Sequence, residues 1–340
     1  SYWDAGYVKV DMTDVHDPKY LADTDFTNPD PEAAESGYTV PPEGNGHQAE
    51  FTKNNRYVVG ADEDFAPFAL LARNLTDRTD IDASQGSDTT KLAEGETITG
   101  KSVFAGRACN GDAPVPAAGD GTQIAVVERG LCTFTEKVTN VTNAGGYDAV
   151  LIFNRTASDA CNSTLGMSVA GSIPTFGVAP RGQGYAIFDT PYDNAECLAG
   201  DGSQLAPIAV GKTGDTLTFS SYFDGWGYVH LFRNKGGKMT ELDTYAIPEA
   251  HDPAFADGFG DLSVHEVATS QAEANRLYFS YYSGGFRVAE IENDEIVEKG
   301  HYIAENGNNF WGVEVFQQGG KEYVAASDRD HGLWIFKYNG

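Results

Sequence analysis

The 340-residue chain carries 50 acidic and 23 basic side chains, a formal charge of -27 that repels phosphate backbones and anionic bilayers, so nucleic acid is not an expected partner. No run approaches the roughly 18 to 20 apolar residues of a membrane span, and residues 1–20 hold neither a basic nor an apolar leader segment, so no span is expected in this chain. The length allows two cores, and 39 Gly, 17 Tyr and 19 Phe favour short strands joined by turns.

The first element expected is a strand led by glycine, Gly6-Tyr7-Val8-Lys9-Val10, alternating as a half-buried strand does. A second kind of unit follows: a strand His47–Phe51, a polar turn, then an apolar strand Arg56–Asp62 that runs into Glu63 and Asp64. Between Ala66 and about Asp215 this pattern stops and the composition changes. All four cysteines lie there, with an Ala/Gly-rich run at 113–121 and one amphipathic helix at Thr133–Asn143, whose Phe134, Val138 and Val141 share a face. Thr133 and Glu136 form a capping box and Gly145-Gly146 a stop signal. The helix stands between two continuous apolar runs, Ile124–Val127 and Ala149–Phe153, which reads as a β-α-β unit with parallel pairing.

After the interruption the first pattern resumes. Glycine-led strands start at Gly227, Gly285 and Gly332, and paired units recur at His265–Thr269 with Arg276–Ser280 and at Gly312–Phe316 with Glu322–Asp328. Gly285 and Gly332 are 47 positions apart and Gly227 and Gly285 are 58 apart, periods that suit propeller blades better than a sandwich. The expected fold is therefore mainly β: a partial β-propeller with about four visible blades (residues 1–71 and 216–340) and an inserted α/β domain (72–215). The Gly6 strand is expected to belong to a blade whose inner strands precede Ser1. An upstream segment or another chain would then complete the ring.

Cys109, Cys132, Cys161 and Cys197 include no C-x-x-C pair, which argues against zinc or redox chemistry and for two disulfides in an oxidising compartment. Of the three connectivities, pairing of sequence neighbours, Cys109 with Cys132 and Cys161 with Cys197, is the one chosen; free buried thiols are the alternative.

Residues 124–154, from Ile-Ala-Val-Val-Glu-Arg-Gly-Leu-Cys-Thr-Phe to Ala-Gly-Gly-Tyr-Asp-Ala-Val-Leu-Ile-Phe-Asn, resemble the core of a protease-associated (PA) domain, and Ile173–Val178 resembles its later strand. The resemblance implies an accessory role, binding peptide or protein or gating access to a site, and transfers no catalytic residue. The flanking repeats resemble LVIVD-type propellers of exported proteins: Tyr7–Asp14 with Asp17-Pro18 is similar to that repeat's strand and exit.

No H-E-x-x-H, G-x-S-x-G or phosphate-binding loop occurs. Candidate metal ligands are Asp62, Asp64, Asp328 and Asp330, at corresponding loop or strand-end positions where a Ca²⁺ ion would find oxygens, and His47 and His265, which open equivalent inner strands, with Glu266 close by. Solvated acids and structural histidines are the competing reading. Sequons at Asn74, Asn140, Asn154 and Asn162 are candidate glycosylation sites. The leading expectation is a secreted or cell-surface binding scaffold that presents the PA-like segment to a protein or peptide, without catalysis. The rival is a metal-dependent extracellular hydrolase with its site in the propeller channel and the insert as a lid.

Overall fold

A computed structural model describes residues 1, 3, 6–25, 34, 45–163, 165–200 and 202–340. The chain divides into two compact units, residues 69–222 and the two flanking stretches 1–68 and 223–340. The flanking unit starts with β1 (Val8–Asp11), β2 (Lys19–Asp25), β3 (Gly46–Phe51) and β4 (Tyr57–Asp62).

The inserted unit is a closed barrel. Its elements are β5 (Phe68–Asn74), β6 (Thr79–Gln85), β7 (Asp88–Thr89), β8 (Thr97–Phe104), β9 (Gln123–Glu128), α1 (Phe134–Ala144), β10 (Ala149–Phe153), β11 (Ala170–Gly171), β12 (Thr175–Ala179), α2 (Arg181–Ala186), α3 (Asn194–Leu198) and β13 (Thr213–Phe223). Strand order around the barrel is β10-β12-β6-β5-β13-β8-β9, and β7 pairs with β11 outside it. The expected β-α-β unit is present: β9 and β10 run parallel with Ile124 opposite Ala149, joined through α1. Their continuous apolar sequence has a simple cause. Ile124, Val126, Leu151 and Phe153 face the barrel interior, while Ala125, Val127, Val150 and Ile152 pack with Val138 and Val141 of α1, so neither face of these strands meets water.

Helix α1 begins as expected, with Thr133 Oγ1 accepting the Glu136 amide at 3.1 Å and Gly145 leaving the helix at φ 80°. Only half of the expected capping box forms, because the Glu136 carboxylate accepts the Asn110 amide instead. Disulfides join Cys109 to Cys132 and Cys161 to Cys197.

The flanking unit resumes with β14 (Val229–Lys235), β15 (Lys238–Tyr245), β16 (Glu266–Thr269), β17 (Arg276–Tyr281), β18 (Gly285–Glu292), β19 (Glu295–Tyr302), β20 (Phe310–Gln318), β21 (Lys321–Asp328) and β22 (Gly332–Phe336). Three sheets result, ordered β1-β2-β15-β14-β4-β3, β16-β17-β18-β19 and β20-β21-β22. The second and third are antiparallel meanders, and the first contains one split by the insertion: β4 pairs antiparallel with β14, Ala61 opposite Val229, although the chain between them holds the whole barrel. One core lies between the first and second sheets (Val59, Leu231, Val267, Phe279) and another between the second and third (Ala268, Tyr278, Val313, Val324).

The recurring leading glycine has two physical causes. Gly6, Gly285 and Gly332 take φ values of 71°, 99° and 90°, which side chains resist. At Gly227 a Cβ would stand 2.0 Å from the Asp62 carbonyl oxygen. The Gly6 strand departs from expectation. Rather than starting a separate blade, β1 pairs with β2, and β2 adds in parallel to β15, so the hairpin extends the first sheet.

Candidate metal centre

The inner strands of the three sheets are equivalent in register: Gln48 faces Ala61, Glu266 faces Ser280 and Gly312 faces Ser327. Immediately before these positions stand His47, His265 and Trp311, whose rings form a row, with centroids 4.3 Å apart for the two histidines and 4.6 Å for His265 and Trp311. The spacing of the row is set by a repeated device. The free edge of an inner strand carries amides that its own sheet does not pair, and each strand lends an acceptor to the next: Gln48 Oε1 takes the Val267 amide at 3.0 Å, Glu50 takes that of Thr269 at 2.9 Å, and Glu266 Oε2 takes that of Val313 at 3.0 Å.

Glu63 completes the cluster from the turn after β4. Its amide donates to the Asn45 carbonyl at 3.0 Å, which brings its side chain beside the start of β3. Glu63 Oε2 lies 3.4 Å from His47 Nδ1, and Oε1 lies 3.5 Å from His265 Nε2. Tyr282 donates its hydroxyl to Oε1. His265 is buried, its Nδ1 3.9 Å from Glu266 Oε1; His47 and Glu266 are partly open to solvent. Burial, and next the neighbouring His47, push the His265 imidazole down to about 4, so it is neutral at physiological pH and has a lone pair to offer. Burial first, then the hydrogen bond to Glu63, holds the Tyr282 phenol far above its ordinary value, keeping it a donor.

The other expected ligands do not join this cluster. Asp62 sits beneath it, buried, with Oδ2 2.6 Å from His230 Nε2 and Oδ1 accepting from Tyr7 at 2.7 Å; the other ring nitrogen of His230 is 2.7 Å from Glu241. Asp328 Oδ1 accepts the amides of Asn309, Asp330 and His331, and Oδ2 accepts the Trp334 indole, so this carboxylate organises a loop. Asp64 Oδ1 accepts the Ala66 amide, and Asp330 is exposed. The anticipated carboxylate ring is thus dispersed into local turn and strand-end bonds. Glu266 is a neighbour of the cluster through Nδ1 of His265.

Two of the sequon asparagines lie buried. Asn74 is 3% exposed and its amide nitrogen donates to Asp215 at 2.7 Å, and Asn154 is 1% exposed and its oxygen accepts from Arg129. Asn140 donates to the Ala108 carbonyl, while Asn162 is exposed.

The barrel unit holds two buried cations that the sequence reading missed. Lys137 on α1, wholly buried, donates to the carbonyls of Arg107 at 2.7 Å and Gly130 at 2.9 Å beside the Cys109–Cys132 bridge, and burial pulls it down to about 8. Arg181 lies between the rings of Phe153 and Tyr185 and pairs with Glu128 at 2.7 Å. Their partners lie far away in sequence, and no local motif announces them.

A family model described as the PA domain matches residues 92–187. Among solved structures, the zinc aminopeptidase BSAP from Bacillus subtilis is similar at 17% identity over 52% of this chain and 36% of that one, with a TM-score of 0.30. The psychrophilic subtilisin-like protease Apa1 from Pseudoalteromonas sp. AS-11 is similar at 11% identity over 58% of this chain and 38% of that one, TM-score 0.31. An aminopeptidase from Aneurinibacillus sp. strain AM-1 is similar at 15% identity over 61% and 41%, TM-score 0.26. The match thus spans about two fifths or less of each of these proteins. No curated protein matches the chain.

Proposed function

We propose that this chain is an exported or cell-surface recognition protein in which a propeller platform of the LVIVD kind carries the PA domain as a module for a protein or peptide ligand. One observation carries the reading. The PA domain is found within a self-contained barrel whose two connections run to β4 and β14, neighbouring strands of one sheet. Two disulfides in that barrel fit an oxidising compartment. The four-stranded meander and its repeat support the propeller reading, and the Gly6–Asp14 segment supports the LVIVD kinship.

The test is a random-peptide display panned on the full chain, followed by hydrogen exchange of the chain with and without the selected peptides. Protection concentrated in residues 92–187 is the expected result. Protection confined to 223–340, or panning that selects nothing, overturns the reading. A metal-dependent extracellular hydrolase is the second reading, favoured by the His47, Glu63 and His265 cluster. Peptide or ester turnover that disappears on chelation and in Glu63→Gln would support it; turnover indifferent to both would overturn it.

A further inference from the structure

We propose that His47, Glu63 and His265 form a binding site for one zinc-class divalent ion, with Tyr282 and Glu266 as its supporting shell. The inference stands apart from the recognition reading, since every residue involved lies outside the PA domain.

The distances carry it. A histidine and a carboxylate that bond each other directly approach to about 2.8 Å. Here His47 Nδ1 stands 3.4 Å from Glu63 Oε2 and His265 Nε2 stands 3.5 Å from the other oxygen, Oε1, while one ligand atom from each of the three residues lies within 4.8 Å of the other two. A tetrahedral ion with bonds of about 2.0 to 2.1 Å keeps its ligands about 3.3 Å apart, so the gap from His47 to Oε2 matches one edge of a coordination tetrahedron, and the 4.8 Å limit on the three ligand atoms leaves the others within a small adjustment of it. Three protein ligands leave a fourth position, and the partly exposed face at His47 is where water would enter.

The surrounding groups have the roles such a centre needs. Glu63 divides its oxygens: Oε1 takes the Tyr282 hydroxyl, and Oε2, the oxygen nearer His47, is left for the ion. With His265 Nε2 on the ion, the proton rests on Nδ1, which is buried and stands 3.9 Å from Glu266 Oε1, with the Trp311 backbone also beside the ring. A small closure makes a carboxylate–histidine–metal relay, which fixes the tautomer and raises the ligand's basicity. Two imidazoles and one carboxylate also select the ion. Calcium takes six to eight oxygens, whereas imidazole suits zinc, copper, nickel and cobalt.

The full chain, stripped with chelator and dialysed, is titrated with Zn²⁺, Co²⁺ or Ca²⁺, bound metal being measured by elemental analysis and the Co²⁺ form by its visible spectrum. One Zn²⁺ per chain is expected, with the intense visible bands of tetrahedral cobalt and a rise in Tm on loading. Glu63→Gln and His47→Ala should abolish the site, and Tyr282→Phe should weaken it about 10-fold. His301→Ala and His331→Ala, at exposed histidines outside the cluster, should leave it intact. Because Glu63→Gln keeps the shape of the side chain and His47 is partly exposed, these variants keep the test independent of a misfolded His265→Ala. Zinc binding unchanged in Glu63→Gln and His47→Ala overturns the proposal, as does Ca²⁺ that competes equally for the position.

Discussion

His230 has no exposed surface and stands between two carboxylates, Asp62 at 2.6 Å and Glu241 at 2.7 Å, with Tyr7 on the far side of Asp62 and the Tyr228 ring 4.7 Å away. Burial alone would lower its pKa, but the two acids outweigh burial and push it up to about 9. A folded pKa raised above the unfolded value of 6.5 stabilises the protein fully below that value, and the contribution is lost as pH rises towards 9. The loss by pH ~9 is roughly 3 kcal/mol. Denaturant melts between pH 6 and 9.5 should therefore show falling stability in the wild type and a flatter profile in His230→Asn, which is itself less stable at pH 6. Equal slopes in the two proteins would show that His230 is already neutral. The sequence places this histidine on an alternating strand, but its partners come from β4 and β15, and no spacing rule joins positions 62, 230 and 241.

At the level of elements, α1 and the loops at its start depend on one ammonium group. Lys137 donates to the carbonyls of Arg107 and Gly130, and the Gly130 oxygen accepts the Cys132 amide as well, at 2.9 Å. Replacing it by methionine keeps the stem and leaves the Arg107 carbonyl without its ammonium donor, while Gly130 keeps the Cys132 amide, at a cost of about 1 to 3 kcal/mol. Chemical denaturation of the oxidised protein followed through the barrel's aromatic signals would measure it; a Lys137→Met protein as stable as wild type would show that water re-satisfies the Arg107 carbonyl. The neighbouring elements were more legible. The Thr133 cap, the Gly145 stop and the two apolar runs around the helix are local signals, and β9, α1 and β10 follow them to within a residue. The missing half of the capping box was not legible, because Asn110, which claims the Glu136 carboxylate, approaches only once the Cys109–Cys132 loop is folded.

For the whole molecule, the insertion point is the informative feature. The Phe68 and Phe223 rings, at the two ends of the insert, meet edge to face at 5.6 Å. Replacing residues 69–222 by a short Gly/Ser linker should leave β4 and β14 paired, since their register, Tyr57–Ala61 against Val229–Arg233, uses residues outside the insert. The expected outcome is a cooperatively unfolding protein that still loads zinc through His47, Glu63 and His265. A linker variant that binds no zinc and melts without cooperativity would mean that the flanking sheets need the barrel to fold.

By itself, the sequence determined what depends on local chemistry: the mainly β character, the β-α-β unit, the helix and its cap, and the glycine-led strands whose positive φ or missing space admits no side chain. It also gave His47 and His265 equivalent places, because alternation and repeat spacing can be read along the chain. The tertiary structure alone decided which side chains meet. Strands four to five ångströms apart in a sheet come from segments more than a hundred residues apart, so Asp62 meets His230, Asn74 and Asn154 lie buried, and β1–β2 extends the first sheet. Glu63 reaches the two histidines for the same reason: a main-chain bond to Asn45 and a hydroxyl from Tyr282 orient it, and these are contacts between distant segments that no periodicity encodes.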